Sequence, residues 1–185
     1  MKKFCFAPKH FVLISFLYFS FSGCSIGHGN DIHYFDIEKY FTSQAERLDS
    51  IKPEVTKIIS SDGKEEMKKT RDIKWKNELL VFSECNLNKP AWRGKFLVDT
   101  IMGEMDYSVV YTALDTTIQV QFAMINIDGK GNVTRLRLKV QTKNNLYSSI
   151  QNLSYTPLES YSVESEQHVF LSGIKKDAVF ATFAR

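Results

Sequence analysis

Between Tyr107 and Val140 the side chains change character at every second residue. Tyr107, Val109 and Tyr111 alternate with Ser108, Val110 and Thr112, and Ile118, Val120, Phe122 and Met124 alternate with Gln119, Gln121 and Ala123. Leu136, Leu138 and Val140 then alternate with Arg135, Arg137 and Lys139. A period of two is that of a β-strand, whose successive side chains point to opposite faces. Asp128-Gly-Lys-Gly-Asn132 supplies a turn between the last two runs, so they read as a hairpin. One polar and one apolar face predict an antiparallel sheet covered on a single side. Further strands fit 146–155, 161–171 and 178–183, making about seven after residue 96. A sheet of that width is expected to curl into a half-barrel or close into a barrel.

The cover comes earlier in the chain. Ile37, Tyr40, Phe41, Gln44, Leu48 and Ile51 recur at helical spacing, with Asp31 or Asp36 as the cap and Pro53 as the stop. The polar face of this helix mixes Glu38, Lys39, Glu46, Arg47 and Asp49, which suits packing on a core better than lying on a membrane. Residues 55–71 read as a hairpin about Asp62-Gly63, a pair that favours a type I′ turn. Its second arm is nearly all polar, as fits a ribbon that projects or lies at a sheet edge. A second helix is expected from Asp72 to about Asn86, with Trp75, Leu79 and Phe82 on one face. The run from Asn86 to Phe96 then places Trp92 in a loop, as a plug over the core or as an exposed aromatic for ligand contact. The fold class expected is α+β: two N-terminal helices with a hairpin between them, packed on a curved antiparallel meander sheet.

The first two dozen residues have another character. Lys2, Lys3 and Lys9 precede an uncharged apolar run from Phe11 to Phe21. That run falls short of the roughly 20 residues that cross a bilayer and matches a secretory signal. Ser22-Gly23-Cys24 resembles the end of a bacterial lipobox, whose Cys becomes the lipidated N-terminal residue, although Phe21 stands where that pattern usually carries Leu. The alternative is an ordinary signal peptide cut nearby. The division expected is a lipoprotein signal at 1–23, a lipidated tether at 24–30 and one globular domain at 31–185.

Cleavage before Cys24 removes three of the 24 basic residues and no acidic one, leaving 21 of each sign. The net charge of +3 thus belongs to the leader, and nothing in the charge argues for a nucleic-acid partner. With Cys5 in the leader and Cys24 acylated, Cys85 has no partner for an intrachain disulfide and reads as a small buried hydrophobe rather than a reactive thiol.

Catalytic and metal motifs are sparse. Asn126 to Asn132 superficially suggests a calcium loop, but a count from Asn126 puts Lys130 fifth and Arg137 twelfth, and a count from Asp128 puts Val133 sixth and Lys139 twelfth. A cation does not ligate a cation, so this is a hairpin turn. His28, His33 and His168 lack the spacing of a metal site, and no nucleophile elbow, phosphate-binding loop or dinucleotide fingerprint occurs. Glu164 and Glu166 share a strand face and read as a solvated edge. No cofactor or metal is expected, and catalysis is the least favoured reading. Asn132-Val-Thr134 and Asn152-Leu-Ser154 match the N-glycosylation pattern, which presumes a eukaryotic route that the lipobox opposes. Asp49-Ser-Ile51, Asp99-Thr-Ile101 and Asp115-Thr-Thr117 resemble the short O-glycosylation pattern of Bacteroidota envelope proteins.

The runs Asp36-Ile-Glu-Lys-Tyr-Phe41, Ile73-Lys-Trp-Lys-Asn-Glu-Leu-Leu80 and Asn88-Lys-Pro-Ala-Trp92 are similar to an uncharacterised lipoprotein family of Bacteroidota, and the likeness extends loosely through the C-terminal strands. It implies envelope location and no activity. The layout is also loosely similar to lipoprotein-carrier and lipocalin-like folds. Two readings follow. The favoured one is an envelope lipoprotein anchored by acyl chains such as palmitate at Cys24, acting as a structural or protein-interaction module. The other is a carrier of an apolar ligand or lipid, faced by Ile118, Val120, Phe122, Met124, Leu136, Leu138, Val140 and Trp92. Ser25 lacks the Asp of inner-membrane retention, so the outer membrane is expected, facing periplasm or cell surface.

Overall fold

The computed structural model describes residues 33–170 and 173–184. The leader, Cys24, the tether and the Asp31 cap lie outside the described residues. Helix α1 (Ile37–Ile51) starts at Asp36, whose carboxylate accepts the Lys39 N–H at 2.9 Å. That bond satisfies one of the donors a helix start leaves open. Lys52 ends the helix in the left-handed region, its N–H bonding the Leu48 carbonyl at 2.8 Å. Ile37, Phe41, Gln44, Ala45 and Leu48 are buried, but Ile51 is exposed, so the apolar stripe closes one turn before the helix does.

Strands β1 (Val55–Ser61) and β2 (Lys64–Thr70) form the expected hairpin. Asp62 and Gly63 both take positive φ, 48° and 83°, as a type I′ turn requires. The single helix expected from Asp72 is instead two one-turn helices, α2 (Trp75–Glu78) and α3 (Leu80–Ser83), interrupted at Leu79. Asp72 does not cap it. Lys74 holds the cap position with no side-chain bond, and Val81, Phe82, Ser83, Cys85 and Asn86 are middling helix formers. Burial of Trp75, Leu79 and Phe82 therefore sets the path of this segment more than helix propensity does.

After a short 3-10 turn at Pro90–Trp92 the chain builds β3 (Phe96–Met102), β4 (Asp106–Ala113), β5 (Val120–Asp128), β6 (Val133–Lys143), β7 (Tyr147–Thr156), β8 (Ser160–Val169) and β9 (Gly173–Phe183). These seven strands form an antiparallel meander, and β1 adds itself beside β9 to give the order β2-β1-β9-β8-β7-β6-β5-β4-β3. The sheet is curved but stays open, with β2 and β3 as its edges, so of the two expected forms the closed barrel is not the one adopted.

The helices cover one face. Ile37, Phe41 and Leu48 of α1, with Trp75, Leu79 and Phe82, share a core with Ile125, Leu136, Leu138, Leu153, Tyr155 and Tyr161 of the sheet. Phe41 stacks on Phe82 at 4.9 Å and meets the edge of Tyr155 at 5.0 Å, while Trp75 sits edge-on to Phe183 at 5.3 Å. Two polar ties stitch helices to strands. The Tyr155 hydroxyl donates to Gln44 Oε1 at 3.1 Å, and Glu78 accepts from the Tyr161 hydroxyl while pairing with Lys57 Nζ at 2.6 Å.

One expected strand face is not the real one. Along β5–β6, Val120 pairs with Val140 but Phe122 pairs with Lys139, so Gln121 is an extra residue on β5. This bulge shifts the period by one. Ala123, Ile125 and Ile127 take the covered face below Val120, and Phe122 and Met124 turn to the open face, away from Leu136, Leu138 and Val140. The Gln121 amide folds back onto the Asp115 carbonyl (3.3 Å) and the Ile118 carbonyl, fixing the loop that precedes the bulge.

Candidate functional site

The residues expected to face an apolar ligand do not form one surface. Ile118, Val120, Leu136 and Leu138 are fully buried, Val140 packs against the same cluster, and Phe41, Phe82 and Tyr155 occupy the space a ligand would need. Trp92 is a half-buried plug: its ring meets Phe96 edge-on at 6.4 Å, and the Lys89 ammonium lies 4.4 Å from the ring centre. A cation over an indole face is held by the ring quadrupole, so Lys89 secures the plug. Phe122 and Met124 lie on the open face, where Met124 Sδ accepts from Arg137 Nη2 at 2.9 Å.

On the open face the cross-strand register brings together residues that no sequence motif joins. Phe122, Lys139, Asn152, Glu164, Ala178, Ser60 and Glu65 stand in one row across seven strands. At about 4.8 Å per strand the row runs about 29 Å. Beside it lies a second row of Met124, Arg137, Ser154, Ser162, Phe180, Ile58 and Met67. Two open grooves follow these rows and meet at Asn152 and Glu164. One, of about 400 Å³, is lined by Ser60, Ile150, Glu166 and Lys176, and the other, of about 280 Å³, by Phe122, Arg137, Lys139 and Ser162.

Charges of both signs line this face. Arg137 and Lys139 lie toward β5, and Glu164 and Glu166 lie toward β9, where Glu166 pairs with Lys176 at 3.0 Å. Asp177, at the margin of the larger groove, accepts from the Ser61 hydroxyl at 2.6 Å and pairs with Lys175 at 3.1 Å. The Ser61 bond, and then Lys175, hold its carboxyl below the ordinary value. The sequence reading placed Glu164 and Glu166 on a solvated edge. They share a face as expected, but β8 is an inner strand, flanked by β7 and β9, so they sit over the body of the sheet.

Asp128 belongs to the β5–β6 turn. Its Oδ1 accepts the N–H groups of Lys130 (2.9 Å) and Asn132 (2.8 Å), and the Asn132 bonds hold the carboxyl low. Among the described residues no group of three or more His, Cys, Asp or Glu is placed to hold a metal ion, and no helix is long and apolar enough to cross a membrane. His33 lines a shallow depression at the entry to α1 with Asp36, Glu38, Asn86 and Asn88, and His168 lies on β8 near its end. Cys85 is buried, its thiol donating to the Val81 carbonyl at 3.3 Å, and burial pushes it up to about 12.

An open face with charges of both signs, interleaved aromatic and aliphatic side chains and shallow grooves suits contact with another polypeptide better than capture of a small apolar molecule. Sequence reasoning missed this face because the row joins residues from 60 to 178, and only the strand register discloses it. No family model, curated protein or solved structure matches the chain.

Proposed function

We propose that this protein is a lipid-anchored component of a bacterial cell envelope that binds protein partners across the open face of its sheet. The observation that carries the reading is the filled covered face. A curved sheet under helices is where an apolar ligand would be enclosed, and here Phe41, Phe82, Trp75 and Tyr155 pack that space. Filled interiors are the rule in close-packed proteins. The surface left for work is the face that runs from Phe122 and Arg137 to Phe180 and Met67. The anchor is supported by the basic start of the leader, its apolar run and Ser22-Gly23-Cys24, and an outer-membrane location by Ser25, which stands where inner-membrane retention uses Asp.

The test is site-specific photocrosslinking in intact membranes of the source organism. A benzophenone side chain at Ser162, in the middle of the open face, should give a discrete adduct, and the same group at Glu46, on the polar side of α1, should give none. Equal labelling at both sites, or none at Ser162, would sink the reading. Native mass spectrometry of the purified protein supplies a second check, because a retained lipid mass would favour carriage instead. Cys24→Ala should abolish incorporation of labelled palmitate and release the protein from membranes.

A further inference from the structure

The ladders of the sheet do not end together. On one flank β5 stops pairing with β6 at Val120, and one further bond joins the Gln141 N–H to the Gln119 carbonyl at 2.7 Å. On the other flank β1 stops at Ser61, and one further bond joins the Asp62 N–H to the Lys176 carbonyl at 3.1 Å. Both flanks thus end at the row of Gln141, Ile150, Glu166 and Lys176. The strands between them continue, to Lys143 opposite Ser148, Tyr147 opposite Val169, and Val169 opposite Gly173. Two more residues on β6 and three on each of β7, β8 and β9, at about 3.3 Å each, make a four-stranded tongue that stands about 7–10 Å clear of its neighbours.

The end of this tongue is apolar. Leu146 is 73% exposed, Phe170 78% and Ile174 59%, and the Phe170 N–H bonds the Leu146 carbonyl at 3.1 Å, so the two hairpin ends form one surface. Tyr147 and Val169 pair just behind it, and Lys143 and Lys175 flank it. Clustered exposed apolar side chains at a projecting end mark a contact with something apolar.

The chain enters the domain at the same end of the sheet. Tyr34 packs edge-on against Phe96 (5.2 Å) and Tyr111 (5.7 Å), and Phe96 pairs with Ala113 at the end of the sheet from which the tongue projects. From Cys24 to Tyr34 the chain can reach about 30 Å, and β4 and β7 are about 14 Å apart across the sheet. A tether of that reach lets that end of the domain meet the bilayer. We infer that the tongue is a second, shallow membrane contact, with Leu146, Phe170 and Ile174 at the boundary of headgroups and acyl chains and Tyr147 at the interface. Aromatic residues favour that depth, and lysines beside them suit anionic headgroups. The contact fixes the tilt of the domain on its anchor. It rests on the anchored reading of Cys24.

The full-length lipoprotein is reconstituted into phosphatidylethanolamine and phosphatidylglycerol vesicles, with an environment-sensitive fluorophore on Leu146→Cys, Phe170→Cys or Met105→Cys. Met105 is an exposed control on the β3–β4 turn, at the opposite end of the sheet, and buried Cys85 stays unlabelled. The probes at 146 and 170 should shift to the blue and lose most of their emission to brominated acyl chains, while the probe at 105 stays aqueous. Vesicle flotation is read on the same samples. Protein that floats while all three probes stay aqueous overturns the tongue contact and leaves the anchor standing. Protein that does not float overturns the anchor, and the inference with it. Probes at 146 and 170 shielded from iodide but untouched by brominated lipid would mean that a second copy covers the tip, which also overturns it.

Discussion

Tyr155 and Tyr40 are neighbouring phenols, 6.4 Å apart between ring centres, with opposite fates. The hydroxyl of Tyr155 donates to Gln44, whereas that of Tyr40 is buried with no partner among the described residues. Removing one member of a buried hydrogen bond strands the other, so Tyr155→Phe should cost about 1–3 kcal/mol in urea unfolding. Tyr40→Phe should be neutral or stabilising, since it removes an unmet group. Burial raises the pKa of Tyr40, Tyr155 and Tyr161 above the ordinary 10.0 and that of Cys85 above the ordinary 9.0. Each raised group favours the folded state's neutral form. The stabilisation they give is complete below the unfolded values and is lost as the unfolded chain ionises first. Thermal stability should therefore hold up to about pH 9 and fall above it, a trend that calorimetry across pH 7–11 will read. Cys85 should resist an aromatic disulfide reagent at pH 8 in the native protein and react at once in denaturant.

At the level of elements, the bulge at Gln121 decides which side chains the two faces carry. Deleting Gln121 would remove the extra residue while leaving Val120 opposite Val140 and Phe122 opposite Lys139, so both faces would keep their side chains. The shortened protein should keep a cooperative thermal transition and native near-UV circular dichroism, whereas Ala123→Phe, which does put an aromatic ring on the full covered face, should lose both. Much of the local architecture was legible in the sequence. Asp36 before the apolar stripe marked the start of α1, Asp62-Gly63 marked the hairpin, and the alternation of Leu136, Leu138 and Val140 with three basic residues gave the faces of β6. What was not legible has a common cause. A bulge leaves residue types unchanged while reversing their direction, so alternation alone assigned Phe122 and Met124 to the wrong face. The break at Leu79 reflects burial of Trp75 and Phe82, which propensity does not weigh. The open-face row joins Ser60 to Glu164 through pairings more than a hundred residues apart, and no local window contains it.

On the scale of the whole molecule, an open sheet has two edges, and this one guards them unequally. Along β2, Lys64, Glu65, Glu66, Lys68 and Lys69 set charge against edge-to-edge pairing. Along β3, Leu97, Val98, Ile101 and Met102 are exposed. The protein should self-associate with rising concentration in sedimentation velocity runs, and Ile101→Lys should restore the monomer. The other flank bears on how the fold is assembled in time. Strand β1, near the start of the domain, rests on β9, the sheet's last strand in chain order, with Val55 against Phe183. Until the eleven residues of β9 are available, the early hairpin has no neighbour and Trp75 lacks the Phe183 edge it packs on. Such long-range closure slows folding. A chain with this order of pairing emerges from the ribosome with its sheet unfinished and completes it only after β9 has left the exit tunnel.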